Sequence, residues 1–228
     1  MDRRIVLAGL GAGVLAVGGY ALIQPTSQTA TSLLPVGAAN AQETASSDDA
    51  ALPEVLEMAM GAEDAPVTVI EYASFTCPHC RSFHENVMPL IKANYIETGQ
   101  VRFIYREVYF DRPGLWAAMI ARCAGPLRYF GIVDLIYDGQ SEWTQGDPAQ
   151  IADNLRRIGR TAGLEDATLD QCLTDADMAQ AMVAQYEAHR AEHDISGTPS
   201  FVIDGELYSN MSYEDFASRL DERLAAAQ

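Results

Sequence analysis

Cys77-Pro78-His79-Cys80 places two thiols within one helical turn of each other. A pair so spaced has three chemical uses: exchange with other disulfides, half of a zinc tetrad, or a structural cross-link. Exchange needs one sulfur that is exposed and ionised near neutral pH, and a second close enough to resolve the mixed disulfide. A helix N-terminus supplies the first, because its unpaired N–H groups and macrodipole favour negative charge. Pro78 marks that helix start, since the first helical position loses nothing by lacking an N–H. Cys77 is then the attacking thiol and Cys80 the resolving one. His79 sets an imidazole beside Cys77, and a more stable thiolate makes the disulfide more oxidising. No second Cys-x-x-Cys completes a zinc tetrad, and neither a metal nor a cofactor is expected.

The surrounding elements are those needed to hold this motif. Val67 to Tyr72 is β-branched and aromatic and reads as a buried strand that runs, through Ala73-Ser74-Phe75-Thr76, into the helix. Phe83, Val87, Leu90 and Ile91 recur at helical spacing, and Pro89 predicts a kink. A second strand spans Val101 to Val108, completing a βαβ unit. Between 113 and 193 the pattern is helical, at Leu115 to Ala124, Phe130 to Tyr137, Ala149 to Ala162, Leu169 to Leu173 and Asp177 to His193. Strand returns at Ser200 to Ile203, turns at Asp204-Gly205, and continues from Glu206 to Tyr208. A last helix starts behind Ser212 and runs through Phe216 and Leu220 to Leu224. The expected class is α/β, with residues 54–112 and 194–228 forming one domain interrupted by an all-helical insertion at 113–193.

Ala65-Pro66-Val67-Thr68-Val69-Ile70-Glu71-Tyr72-Ala73-Ser74-Phe75-Thr76-Cys77-Pro78-His79-Cys80 resembles the active-site strand and helix of the DsbA-like thiol:disulfide oxidoreductase family. Gly197-Thr198-Pro199-Ser200-Phe201-Val202-Ile203-Asp204-Gly205 resembles its second signature, and the likeness extends over about residues 55 to 226. The resemblance implies a thioredoxin fold with inserted helices, and a monomer that donates its disulfide to reduced exported proteins. A membrane quinone-linked partner would reoxidise it. In such proteins the proline matching Pro199 is cis and packs beside the cysteines, leaving the backbone at Thr198 free to pair with substrate. The residue matching Glu71 is a buried carboxylate that relays protons to the resolving cysteine; the alternative is an edge-strand glutamate facing water. One departure stands out. The dipeptide Pro78-His79 is that of DsbA, which has valine before the cis-proline, whereas threonine, here Thr198, is typical of the related isomerases. An isomerase, a client-specific reductant, and a non-enzymatic binding module with structural cysteines are the competing readings.

Other residues admit two readings each. Cys123 and Cys172 make the cysteine count even, which in an exported chain favours a second disulfide over two buried thiols. His189 and His193, four apart on a helix, suit a solvated face better than a metal without a third ligand. His84, one turn after Cys80, reads as structural or as a rim residue. Phe75, Trp116, Tyr129, Phe130 and Trp143 line either a substrate groove or the core.

The N-terminal residues 1–41 have the order of an export signal, with Arg3 and Arg4 before a glycine-diluted apolar run and Ala39-Asn40-Ala41 as a cleavage site. Asp2-Arg3-Arg4-Ile5-Val6-Leu7 resembles a twin-arginine signal, with a general-secretion signal as the other reading. Cleavage puts the protein in the periplasm; an uncleaved signal would anchor it in the membrane. Residues 42–53 are small and polar and read as a flexible linker. The net charge of −17 argues against nucleic acid and anionic lipid as partners.

Overall fold

The computed structural model describes residues 51–227. The assignment of an export signal to 1–41, and most of the linker, lie outside the described residues. Strands β1 (Met58–Met60), β2 (Val67–Ala73), β3 (Val101–Glu107), β4 (Ser200–Ile203) and β5 (Glu206–Ser209) form one sheet in the order β1-β3-β2-β4-β5. β2 and β3 run parallel, and every other neighbouring pair is antiparallel. β2 is therefore central, which is why its apolar residues run nearly without interruption. β1 is absent from the sequence reading, because three residues, Met-Ala-Met, are too few to show alternation. The β4–β5 turn places Asp204 at φ 46° and Gly205 at φ 85°, the left-handed pair that a two-residue hairpin demands.

The pleat divides the sheet between two cores. Val67, Val69 and Ala73, with Phe103, Tyr105, Phe201 and Ile203, face the main core. Tyr72, Val108 and Val202 face a smaller cluster completed by Ile195 and packed against Tyr186. Helix α1 (Pro78–Asn86) and helix α2 (Met88–Ile91) follow β2 and are broken at Val87, with Pro89 in the first turn of α2. This is the kink that the proline predicts: its missing N–H and its ring cannot continue the turn before it. A π-helical turn, Lys92–Ile96, leads on to β3.

Six helices separate β3 from β4: α3 (Arg112–Cys123), α4 (Pro126–Asp138), α5 (Gln140–Trp143), α6 (Pro148–Thr161), α7 (Asp166–Thr174) and α8 (Ala176–Glu192). Each helical stretch read from the sequence has its counterpart, but α3, α4, α6, α7 and α8 begin one to four residues earlier than the apolar periodicity suggests. Of these, α3, α4 and α6 open on a proline in the first turn, and Asp111, Asp147 and Asp175 cap α3, α6 and α8, so these starts are set by prolines and caps and not by the first buried residue. The four-residue α5 is too short for periodicity to reveal. Phe75, Tyr129 and Trp143 are buried, while Trp116 and Phe130 pack from the side onto the main core. Helix α9 (Tyr213–Ala226) starts where Ser212 Oγ accepts from the Asp215 N–H, and buries Phe216 and Leu220.

One cross-link closes the insertion on itself and a second ties it to the sheet. Cys123 of α3 and Cys172 of α7 are disulfide-bonded. Glu107, at the end of β3, is buried and accepts from Arg122 at 2.7 and 2.6 Å and from Tyr129 Oη at 2.8 Å. On the opposite face His193 does structural work, its Nδ1 lying 2.6 Å from Tyr72 Oη. Among the described residues no helix is long and apolar enough to cross a membrane.

Candidate active site

Cys77 is the N-cap of α1, in extended backbone conformation, with Pro78 in the first turn. Cys77 is half-buried, Pro78 and His79 are more open, and Cys80, one turn inward, is fully buried. Both sulfurs are free thiols. The two have opposite acidities. Cys77 is drawn down to about 5, chiefly by a hydrogen bond from the Cys80 thiol, against a burial that raises it. Thr198 and the backbone N–H groups of Cys80 and His79 add to the lowering. Cys80 is pushed up, first by burial, then by its donation to Cys77 and by the charge of Glu71. One sulfur is thus ready to attack or leave as thiolate, and the other holds its proton until called on. The backbone N–H of His79 is a property of the helix start and does not depend on its imidazole.

The loop before β4 closes over this turn. The Thr198–Pro199 peptide is cis, and the Cys77 thiol donates to Thr198 O at 3.4 Å. The Thr198 hydroxyl is buried and without a hydrogen-bond partner among the described residues. The Thr198 side chain favours the charged form of both sulfurs, whereas the carbonyl, as acceptor from the Cys77 thiol, favours the protonated form of that sulfur. On the other side Thr76 Oγ1 donates to Asp111 Oδ2 at 2.8 Å, while Asp111 Oδ1 caps α3 through the Gly114 N–H. Gln140, from the start of α5, donates to Phe75 O at 2.8 Å and Cys77 O at 3.0 Å.

Behind Cys80 lies a buried pair. Glu71 has no exposure, and its Oε2 shares a 2.9 Å hydrogen bond with Nε2 of His84, itself buried. Glu71 Oε1 and His84 Nδ1 find no hydrogen-bond partner among the described residues. The His84 ring stacks on Tyr137 at 4.4 Å, and Tyr137 Oη meets Tyr105 Oη at 2.7 Å. Glu71 therefore sits in the central strand and not at an edge facing water.

The structure gathers Cys77, Pro78, His79, Cys80, Thr198 and Pro199 at one turn, with Glu71 beneath them; Cys123 and Cys172 lie apart, in the insertion. Sequence reasoning left His84 as a structural or rim residue and passed over Gln140. His84 carried a signal, since Cys80 and His84 are four apart and so share a helix face. Gln140 carried none, being one amide among many and 63 residues from Cys77.

Comparison with known proteins places this arrangement. A family profile described as Thioredoxin matches residues 54–222. A Rickettsia bellii protein assigned by name to the protein-disulfide oxidoreductases is 28% identical over 169 residues, covering 74% of this chain but only 64% of the relative. A protein of Bacillus cereus named for disulfide bond formation, protein D, is 39% identical over 185 residues, covering 74% of this chain and 79% of the relative. The crystal structure of Wolbachia pipientis alpha-DsbA1 superposes with a TM-score of 0.70 at 28% identity, over 78% of this chain and 95% of that one. Profile, relatives and superposition agree with the order of elements around the Cys-x-x-Cys turn, and the chain belongs to the thioredoxin family as a DsbA-like member.

Proposed function

We propose that the protein is a thiol:disulfide oxidoreductase that donates the Cys77–Cys80 disulfide to reduced client proteins. The observation that carries this reading is the division of labour between the two sulfurs, an accessible acidic one at a helix start and a buried, proton-holding one a turn behind it. In the oxidised enzyme a client thiolate attacks Cys77 Sγ, forming a mixed disulfide and expelling Cys80 as thiolate. Cys80 then takes up a proton. A second client thiolate attacks the client sulfur of the mixed disulfide, so the client gains its disulfide and Cys77 leaves as a stabilised thiolate. Two electrons pass from client to enzyme.

Glu71 and His84 supply the proton that Cys80 needs in this direction and accept it in reverse. Two features of their geometry suit proton transfer. The shared hydrogen bond moves a proton between Oε2 and Nε2 without solvent, and each residue keeps one further polar atom unengaged among the described residues. The client backbone docks beside Thr198, whose carbonyl already lies at the Cys77 sulfur.

Clients are exported proteins in this reading, reached because residues 1–41 act as an export signal into the periplasm, and a quinone-linked membrane partner restores the disulfide. The enzyme acts as a monomer. Two measurements test the core of the proposal. Trapping with a peptide disulfide should leave a stable adduct on Cys77 in Cys80→Ser; an adduct on Cys80 in the reciprocal variant would reverse the assignment. Glutathione titration should give a potential more oxidising than the value of about −270 mV typical of thioredoxin. A potential at or below that value would make the protein a reductant. The same titration on His79→Ala separates the imidazole from the backbone N–H that the variant retains.

A further inference from the structure

We propose that Gln140, carried by the helical insertion, is a positioning residue that sets the charge balance at the Cys77 sulfur and with it the oxidising strength of the Cys77/Cys80 pair. The inference rests on Cys77 being the nucleophile. Gln140 is 6% exposed. A buried primary amide must satisfy two N–H groups, and this one aims its nitrogen at the turn that carries the thiol, donating to Phe75 O and Cys77 O.

The second bond is the informative one. The Cys77 carbonyl belongs to the peptide joining Cys77 to Pro78, and it already accepts the first bond of α1 from the Arg81 N–H at 3.1 Å. Gln140 adds a second donor to the same oxygen. Carbonyl oxygens carry negative partial charge, and this one lies on the residue whose sulfur must become an anion. Drawing that charge into two hydrogen bonds lowers the cost of a thiolate beside it, while a neutral thiol or disulfide gains much less. The same pair of bonds holds Cys77 at its extended N-cap angles, φ −83° and ψ 119°, from which its sulfur meets the N–H groups of His79 and Cys80. No other side chain of the insertion hydrogen-bonds to the backbone of Cys77 among the described residues. The insertion thereby gains direct control of the redox turn.

Gln140→Met keeps the volume and removes both donors. The ionisation of Cys77, followed by thiolate absorbance, should shift upward by about 0.5–1 unit, roughly what one or two modest hydrogen bonds are worth. The equilibrium with glutathione should move about three- to tenfold toward the enzyme disulfide. Gln140→Glu, which sets an oxygen against the two carbonyls, should shift both at least as far and serves if the Met variant does not fold. Leu155→Ala, buried in α6 and outside the redox turn, reports a mere loss of packing: it should lower stability and leave both readouts at wild-type values. An unchanged Cys77 titration in a folded Gln140 variant, or an equal shift in Leu155→Ala, would overturn the proposal while leaving the oxidoreductase reading intact. A wild-type Cys77 that titrates like a free cysteine would remove both.

Discussion

Two buried glutamates stand on adjacent parallel strands and the same face of the sheet: Glu71 on β2, and Glu107 on β3 opposite Ala73. Glu107 is saturated. Its two oxygens take two bonds from Arg122 and one from Tyr129, and Arg122 also reaches Leu56 O at 2.7 Å, tying β3, α3, α4 and the chain before β1 together. Among the described residues Glu71 has one hydrogen-bond partner, His84, and an oxygen left over. A carboxylate that only holds a fold is surrounded until its charge and lone pairs are spent. One that handles protons needs a partner that can give or take one, and capacity to spare. The two residues are chemically identical, and it is their neighbours that differ.

Exchanging each for its amide is the sharpest way to break the comparison. Glu107→Gln turns an accepting oxygen into a donor against Arg122 and strips the buried guanidinium of its counter-charge. It should cost about 3–5 kcal/mol of stability, the range for breaking a buried pair. Urea unfolding measures it. Per folded molecule, exchange through Cys77 and Cys80 should be unaffected; a slowed exchange would show that Glu107 is not purely structural.

The next effect tests whether the anchored side of the molecule is independent of the redox side. Cys123 follows Arg122 on α3, so the bond to Cys172 secures the helix that Glu107 grips. Replacing both cysteines by alanine should lower stability by about 2–4 kcal/mol, leaving the titration of Cys77 in place. Mass mapping of oxidised wild type must find the two linked.

Glu71→Gln should do the reverse of Glu107→Gln. Its amide keeps a hydrogen bond to His84, so stability should move by about 1 kcal/mol or less. The step in which Cys80 gains or loses its proton should slow about 100-fold, at the lower end for loss of an acid–base group. Stopped-flow measurement of mixed-disulfide resolution decides it, and a rate equal to wild type would reduce Glu71 to a structural role. A further effect is one of pH. Cys77 falls from an ordinary thiol value of 9.0 to about 5 on folding. A lowered value stabilises the folded reduced form fully above about 9, progressively less as pH falls toward 5, and not at all below. The oxidised form has no such thiol. The gap between reduced and oxidised unfolding free energies should therefore change steadily from about pH 9 to about pH 5 as that contribution is lost; Cys77→Ser, which forms no Cys77–Cys80 disulfide, should remove the same contribution from the pH dependence of unfolding of the reduced protein.

Local structure was largely legible. Pro78 after Cys77 announced the helix start, Asp204-Gly205 the hairpin, and Pro89 the break between α1 and α2, because each acts through backbone restrictions on its immediate neighbours. Where reading stopped, it stopped for physical reasons. β1 and α5 are held by what they pack against, and a three- or four-residue segment carries no period. The early starts of α3, α4 and α6 came from caps and prolines that lie outside their apolar faces.

From the sequence alone came the order of elements, the helix-start cysteine pair and the Thr198-Pro199 loop, each encoded within a few neighbouring residues. Tertiary structure alone decided that Gln140, 63 residues from Cys77, meets the Cys77 carbonyl, and it set Thr198 O, 121 residues away, at 3.4 Å from the Cys77 sulfur. It also decided that Glu71 lies on the central strand with His84 against it, and that Glu107, unremarked in the sequence, is saturated by Arg122 and Tyr129. The reason is common to all of these. Dihedral preferences and caps act along the chain over about one helical turn, whereas a carboxylate's or thiol's charge responds to whatever packing brings within a few ångströms, and packing is settled by the whole fold.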